Sequence, residues 1–237
     1  MADVRLSTQA SSSDALPLLE SGDHLDQPAF HERYQQMPSD FRAELIGGFV
    51  VVPSPLSQKH ARYHAHVIRW LGQYEADTCG AAVYDNATVI LGPDSELQPD
   101  ACLIVEPDCG GRTNTDRRGY VMGPPELIVE VASSSESYDL HDKRREYERA
   151  GVQEYLVVVI RDQRIRSFRL HDGRYNERPV DADGIWRSSI FPDLWLDTKA
   201  LLDLDSAKVD QTQRAGMATP AAHATFVQAL RTHPASQ

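Results

Sequence analysis

The segment Glu126–Val159, ELIVEVASSSESYDLHDKRREYERAGVQEYLVVV, decides the fold of this 237-residue chain. It opens with a predicted strand, residues 127–131, in which both alternating faces are apolar except at Glu130. A strand that is apolar on both faces is typical of one that is covered on both sides. An ionised carboxylate in such a place is costly unless a cation compensates for it, so Glu130 predicts a metal ion or a lysine nearby. The alternative is a carboxylate on a solvent-exposed strand face.

A helix is predicted directly after this strand. The serine-rich residues 133–137 precede it, periodic residues run from about Tyr138 to Ala150, and Gly151 ends it. At 100° per residue, Lys143 shares one narrow stripe of this helix with three residues: Leu140, Tyr147 and Ala150. Lys143 is therefore predicted to face the sheet, although a lysine at the edge of a stripe can also extend to water.

The predicted pairing of two strands places a second acidic residue, Asp100, near Glu130. Residues 100–105, DACLIV, predict a strand that can form an antiparallel pair with residues 126–132. If Val105 pairs with Glu126, Asp100 lies next to Glu130; a shift of one residue puts the two acids directly opposite, with Cβ atoms about 5 Å apart. Two carboxylates that close can share Mg²⁺ or Mn²⁺. The alternative for Asp100, which follows Pro99, is an ordinary turn carboxylate.

An Asp and a Glu on neighbouring strands, with a Lys nearby, form the smallest set that supports metal-dependent phosphodiester hydrolysis. The metal polarises the phosphoryl oxygen and lowers the pKa of a bound water. The lysine orients that water or stabilises developing negative charge. The predicted cofactor is Mg²⁺ or Mn²⁺.

The order of several short motifs resembles the Uma-type family of restriction endonucleases, a branch of the PD-(D/E)XK nuclease superfamily, over roughly residues 41–202. The matching pieces, in chain order, are Glu44-Leu45-Ile46-Gly47-Gly48, Pro53-Ser54-Pro55 with His60, Pro99-Asp100, Glu130-Val131-Ala132-Ser133, Asp139 with Lys143 and Tyr147, and Gly151-Val152-Gln153-Glu154-Tyr155. The resemblance implies a single α/β domain of restriction-endonuclease-like architecture, with a mixed, curved sheet flanked by helices.

The same resemblance implies the roles of four residues. Asp100 and Glu130 would be metal ligands, Glu44 an added carboxylate of the site, and Lys143 the catalytic lysine. The superfamily usually places its lysine two residues after the strand Glu, where this chain has Ala132. Lys143 is the predicted substitute, and we expect Lys143→Met to abolish cleavage with little change in thermal stability. For Glu44, a surface position beside the Gly47-Gly48 turn is the alternative.

The sequence departs from the family pattern at two further positions. Ser134 stands where proline is usual, and Gly47 stands where an acidic residue is frequent. Neither position is a proposed ligand.

Two histidines four residues apart, His60 and His64, have a spacing that can bind zinc. No HExxH motif or obvious third soft ligand accompanies them, so packing or capping is the favoured role. His60 can still lie at the edge of the cleft. Asp139 and Tyr147 are expected to fix the helix rather than to take part in chemistry.

The net charge of the chain and its distribution bear on whether the protein binds DNA. The formal net charge is −11, which disfavours nucleic-acid binding, yet residues 116–178 hold 12 of the 24 basic residues. A local basic face for DNA has six candidates: Arg117, Arg118, Arg161, Arg164, Arg166 and Arg169. The alternative is a solvated charged surface.

Composition limits the remaining classes. No stretch approaches the ~20 apolar residues of a membrane span, and no hydrophobic signal core opens the chain, so we expect a cytoplasmic protein without a membrane partner. The three cysteines, Cys79, Cys102 and Cys109, lack a CxxC pair and predict neither a disulfide framework nor a zinc site.

The predicted domain organisation is a flexible leader at 1–26, a restriction-endonuclease-like domain at 27–204, and a tail at 205–237 with a short terminal helix. That helix is expected to dock on the body or on a second subunit in a homodimer. The predicted activity is that of a Mg/Mn-dependent endodeoxyribonuclease. Two alternatives stay open: a catalytically weak or inert module of the same fold that binds DNA or a protein, and a metal-dependent hydrolase acting on another substrate.

Overall fold

The computed structural model describes residues 17–133, 135–218 and 221–233. The helices are α1 (Gln27–Tyr34), α2 (Gln58–Asp77), α3 (Arg144–Ala150), α4 (Thr198–Leu202), α5 (Ser206–Met217) and α6 (Ala221–Thr232), with a 3-10 turn at Pro107–Cys109 and a π-helical segment at Tyr138–Lys143 that runs into α3. The strands are β1 (Glu44–Ile46), β2 (Phe49–Val51), β3 (Ala81–Asp85), β4 (Val89–Gly92), β5 (Ser95–Leu97), β6 (Ala101–Val105), β7 (Asn114–Thr115), β8 (Val121–Met122), β9 (Leu127–Ala132), β10 (Glu154–Val159), β11 (Arg164–His171), β12 (Arg174–Glu177), β13 (Ile185–Arg187) and β14 (Trp195–Asp197).

The strands form two six-stranded mixed sheets and one hairpin. Sheet I has the order β2-β1-β5-β4-β8-β7, sheet II has the order β12-β11-β10-β9-β6-β3, and β13 pairs with β14. The mixed α/β class is as predicted, but the sequence pointed to one mixed sheet and the chain builds two. The strands of sheet I are two to four residues long, which leaves little periodic pattern to detect.

Strands β6 and β9 pair in antiparallel fashion, with Cys102 opposite Ile128 and Ala101 opposite Val129. This register is one residue away from the pairing of Val105 with Glu126. Extended by one residue, it sets Asp100 opposite Glu130, which is the shifted register considered above.

Strand β10 lies parallel to β9. A parallel neighbour requires a crossover, and here the crossover carries the π-helical segment and α3. The C-cap residue Gly151 has φ +90°, a left-handed conformation that glycine adopts without a Cβ penalty. The crossover therefore holds the predicted lysine helix against the strand that carries Glu130.

The two faces of sheet II are covered by different layers. Leu103, Val129 and Val131 pack with α2 and the C-terminal helices. Residues of the opposite face, including Ile128 and Ala132, pack with α3 and with Ile46 and Leu97 of sheet I. Glu130 is two residues from both Ile128 and Ala132, so its side chain lies on the same face as theirs, between sheet II, α3 and sheet I.

The apolar residues between 81 and 91 form two strands in different sheets. Strand β3 pairs with β6 in sheet II, whereas β4 pairs with β5 in sheet I. The chain turns between them at Asn86, whose φ is +49°. Asn tolerates this left-handed conformation better than most residues, so it marked a turn that the apolar pattern concealed.

Both termini contact the body where they are described. Most of the predicted leader, residues 1–16, lies outside the described residues, but Leu19 is buried with Phe30 and Leu45, and Gly22 N–H donates to Val50 O at 2.8 Å. In the tail, Val209 and Leu230 join the main core, so α5 and α6 dock on the body. The boundaries at 26 and 204 stay predictions.

Helix α2 begins directly after Ser57, whose Oγ accepts a hydrogen bond from the N–H of His60 at 3.1 Å. Among the described residues, none of the helices combines the length and the apolar character that crossing a membrane requires.

Candidate active site

Asp100 and Glu130 meet at one end of the β6–β9 pair. Asp100 N–H donates to Glu130 Oε2 at 3.3 Å, and Val131 N–H donates to Asp100 Oδ2 at 2.7 Å. Asp100 is 9% exposed and Glu130 is 2% exposed. The two acids are thus neighbours on one face of the sheet, as the predicted pairing of the two strands requires. Asp100 is the more exposed of the two.

Lys143 brings its ammonium group into the same place. Its Nζ lies 3.0 Å from Glu44 Oε2, 3.1 Å from Glu130 Oε1 and 3.8 Å from Asp139 Oδ1. Lys143 is the last residue of the π-helical segment and is only 6% exposed, so it does not extend to water. The helical stripe therefore gave the correct direction for this side chain.

Glu44 comes from sheet I. Its Oε1 accepts from Gln98 N at 2.7 Å, which fixes the carboxylate that contacts Lys143. Glu44 is 7% exposed, so it is not the surface residue of the alternative interpretation. All four predicted site residues lie together.

Two buried tyrosines donate hydrogen bonds to residues of the site. Tyr147 OH donates to Glu130 Oε1 at 2.8 Å, and Tyr155 OH donates to Asp139 O at 2.9 Å. The role predicted for Tyr147, fixing the helix, did not include this hydrogen bond to Glu130. The signal was available, because Tyr147 follows Lys143 by four residues on the same stripe.

His60 and His64 reach Asp100 from α2. His60 Nε2 lies 3.3 Å from Asp100 Oδ2, and His64 Nε2 lies 2.7 Å from the carbonyl oxygen of Asp100 and 3.1 Å from Asp85 Oδ1. Packing or capping was the role predicted for both histidines, with His60 able to lie at the edge of the cleft. Both are in contact with a predicted site residue instead.

Burial and crowding of carboxylates shift the ionisation of the site. Burial raises the pKa of Glu130 well above its ordinary value; Lys143 opposes this, and Asp139, Asp100 and Glu44 add to it. Burial also raises the pKa of Asp139 to about 6. For Lys143, burial acts to lower the pKa, but the nearby carboxylates outweigh it and raise the pKa well above its ordinary value.

The pKa of Asp100 is lowered, in contrast to the raised pKa values of Glu130 and Asp139, and the pKa of its neighbour His60 is raised. Burial acts to raise the pKa of Asp100, yet the hydrogen bond and charge of His60 and the N–H of Val131 together lower it. Burial acts to lower the pKa of His60, and Asp100 reverses this, so its pKa is raised. His60 and Val131 thus favour the ionised form of Asp100.

The donor set fits a divalent cation. Three carboxylates, those of Glu44, Glu130 and Asp139, surround the ammonium group of Lys143, and Asp100 lies beside Glu130. Burial, with a smaller contribution from the neighbouring carboxylates, raises the pKa values of Glu130 and Asp139, and Lys143 only partly opposes this. Within the described parts of the chain, Asp139 Oδ1 is buried without a hydrogen-bond partner. Hard oxygen ligands with excess negative charge are what Mg²⁺ and Mn²⁺ prefer.

Half of the six candidate arginines of the basic face are neutralised by ion pairs. Arg161 pairs with Glu136, Arg164 with Asp162, and Arg166 with Glu177. Within the described ranges, the remaining three candidates make no ion pair: Arg117, Arg118 and Arg169.

Comparisons with known proteins show the fold and the family of this chain. The structure is similar to that of a putative nuclease belonging to DUF820 from Anabaena variabilis, with a TM-score of 0.56 and 14% sequence identity over 72% of this chain and 97% of that chain. At this identity the likeness concerns the fold. A search of curated proteins gives no match. The profile of the Uma2 family, described as "Putative restriction endonuclease", matches residues 31–199, which is well over half of the chain. This protein therefore belongs to the Uma2 family of nucleases and has its restriction-endonuclease-like α/β fold.

Proposed function

We propose that this protein is an endonuclease that hydrolyses DNA phosphodiester bonds with Mg²⁺ or Mn²⁺. The observation that carries the proposal is the convergence of Asp100, Glu130 and Lys143, with Nζ 3.1 Å from Glu130 Oε1 and Asp100 N 3.3 Å from Glu130 Oε2. Carboxylates on neighbouring strands beside a buried lysine suit phosphoryl chemistry, and membership of a nuclease family supports the same class of reaction.

Asp100 and Glu130 would hold the ion. Asp100 has the lowered pKa and borders the surface, so it presents a charged oxygen on the open side. Glu130 is fixed by Tyr147 OH at 2.8 Å and offers its Oε2 toward Asp100. When bound, the ion supplies Lewis acidity toward a phosphoryl oxygen and lowers the pKa of a bound water.

Lys143 supplies the positive charge of the site. Its ammonium stays protonated because the carboxylates raise its pKa, so it acts by orienting a water and by stabilising negative charge rather than as a base. Glu44 holds the ammonium in place through the 3.0 Å contact, and Gln98 N–H holds Glu44. Glu44 is thus a positioning residue in this proposal.

The test is cleavage of supercoiled plasmid by purified protein at low ionic strength. We expect nicking or cutting with Mg²⁺ or Mn²⁺, and much less with Ca²⁺ or EDTA, because Ca²⁺ accepts looser geometry and is a poorer Lewis acid. Glu130→Gln keeps the shape of the side chain and should lose activity.

The matched control is Glu126→Gln. Glu126 is a second buried carboxylate beside β9 and accepts N–H groups of Val105 and Arg112, outside the site. Assayed below its unfolding temperature, this variant should cleave. Cleavage that survives in Glu130→Gln indicates a contaminating nuclease, and metal binding without cleavage of duplex, single-stranded or RNA substrates favours the inert binding module.

A further inference from the structure

Three groups of metal-ligand type meet where the N-terminal part of α2 approaches β6. The ligand atoms of His60, His64 and Asp100 all lie within 4.8 Å of one another. Asp100 is already a proposed ligand, so this cluster extends the carboxylate site on its open side.

The two histidines are not equivalent. His64 Nε2 lies 2.7 Å from the carbonyl oxygen of Asp100. A carbonyl oxygen only accepts, so Nε2 of His64 must carry its hydrogen and has no lone pair for a cation. His64 therefore uses Nε2 to fix the backbone at Asp100, whereas Nε2 of His60 lies 3.3 Å from the carboxylate oxygen Oδ2 of Asp100 and is the candidate nitrogen ligand.

His60 lacks the full set of hydrogen bonds that a buried structural histidine normally makes. It is 4% exposed, and its Nδ1 is buried with no hydrogen-bond partner among the residues the structure describes. Buried ring nitrogens normally have partners. Its Nε2 can lose its hydrogen to Nδ1 without breaking any bond at Nδ1, and this leaves a lone pair directed at the carboxylate side of the cluster.

The spacing suits two ligands of one ion. His60 Nε2 lies 3.3 Å from Asp100 Oδ2. Adjacent ligands of an octahedral ion, with bonds of about 2.1 Å, are separated by about 3 Å. The pair needs little adjustment to bind a common cation.

We infer that His60 is a nitrogen ligand of the ion held by Asp100 and Glu130, and that the site therefore prefers Mn²⁺, or a heavier first-row transition ion, over Mg²⁺. The inference rests on the metal site of the proposed function. Its physical basis is that an imidazole nitrogen binds transition ions better than it binds Mg²⁺, which favours oxygen ligands and keeps its waters.

The direct test is pulsed electron paramagnetic resonance of the untagged full-length protein loaded with Mn²⁺. We expect a nitrogen coupling of the size that a bound imidazole gives, and we expect it to change from the ¹⁴N to the ¹⁵N pattern after labelling with ¹⁵N-histidine. This arm needs no substitution, so it stands even if a variant folds poorly.

Variants then assign the nitrogen. His60→Gln should bind Mn²⁺ without the coupling. His66→Gln is the matched control, because His66 lies on the same helix near Arg62, Arg69 and Asp210, away from the site; it should keep the coupling. His64→Gln should also keep it.

Calorimetry measures the preference. We expect His60→Gln to weaken Mn²⁺ binding about 10-fold or more and to change Mg²⁺ binding less, since even partners of ligands contribute about 10-fold. Mn²⁺ that binds without nitrogen coupling, or coupling that persists in His60→Gln, overturns this inference and leaves the carboxylate site intact. Failure of the wild type to bind Mn²⁺ overturns the proposed metal site as well.

Discussion

Lys143 and Glu44 form a buried ion pair, with Nζ 3.0 Å from Oε2, that joins the helix covering sheet II to the first strand of sheet I. The same ammonium contacts Glu130 of sheet II at 3.1 Å. A single charge thus links both sheets, and its removal has consequences for stability as well as for chemistry.

Lys143→Met should abolish cleavage and, contrary to the expectation from sequence, should also lower thermal stability. Loss of one partner of a buried ion pair leaves uncompensated charge and costs about 3 kcal/mol or more. For a chain of this length that corresponds to a fall in Tm of roughly 6–12 °C at pH 7.5 without metal. Calorimetric melting of both proteins measures it, with Lys199→Met, an exposed lysine paired with Asp203, as the control expected near the wild-type Tm. An unchanged Tm for Lys143→Met contradicts the buried pair, and unchanged cleavage contradicts the role of the lysine.

Asp139→Asn should change the pH dependence of stability. Burial raises the pKa of Asp139 to about 6 from an ordinary 3.8, so the folded state binds the proton more tightly than the unfolded state. The stability contributed by this proton is complete below pH 3.8 and is lost as pH rises to 6. Between pH 4.5 and 7 the wild type should lose up to about 2 kcal/mol relative to Asp139→Asn, which does not titrate. Urea unfolding of both proteins at a series of pH values provides the comparison, and parallel stability curves contradict the raised pKa.

Divalent cations should raise the Tm of the wild type. At a concentration of 100 Kd, a ligand that binds only the folded state adds about 2.7 kcal/mol, or roughly 5–11 °C here. Ca²⁺ should also stabilise, because it accepts the same oxygens even though it turns over poorly. Asp100→Asn should lose most of the shift. An equal shift in that variant places the ion elsewhere.

Affinity for DNA should be weak and should fall steeply with salt, because the net charge is −11. Arg117 and Arg118 are exposed on the turn between β7 and β8, whereas Arg166 is held by Glu177 with Nε to Oε1 at 2.7 Å. Each of Arg117→Ala and Arg118→Ala should reduce the slope of log K against log salt by about 1. Arg166→Ala should leave the slope nearly unchanged, and equal effects of all three show that this turn is not a DNA contact.

The parts of the site that were predictable from sequence are those set by local periodicity. Apolar residues on both faces of β9 identified Glu130 as buried, and the 3.6-residue repeat predicted that Lys143 faces the sheet. The first register predicted between β6 and β9, with Val105 opposite Glu126, differs by one residue from the observed one. The apolar pattern of a strand does not fix the register of its pairing unless the geometry of the connecting loop is also known.

The contacts of His60 and Glu44 with the rest of the site depend on long-range packing. The first requires α2 to cross the end of β6, and the second requires sheet I to face α3. Neither arrangement leaves a periodic signal in the sequence. Motif order suggested Glu44 through the family resemblance, whereas the role of His60 came only from the three-dimensional structure.

The π-helical segment at Tyr138–Lys143 makes this part of the chain tolerant of the loss of one residue. A π turn accommodates one residue more than an α turn, so loss of the half-exposed Asp142 lets residues 138–150 become a regular α-helix. The α turns wind more tightly, so the tighter winding offsets the missing residue, and Lys143 keeps nearly its direction relative to the residues before the segment. A deletion within α3, which has no extra residue to lose, would instead rotate the helical residues that follow it by about 100°. The segment thus allows a change in chain length without a change in the direction of the lysine.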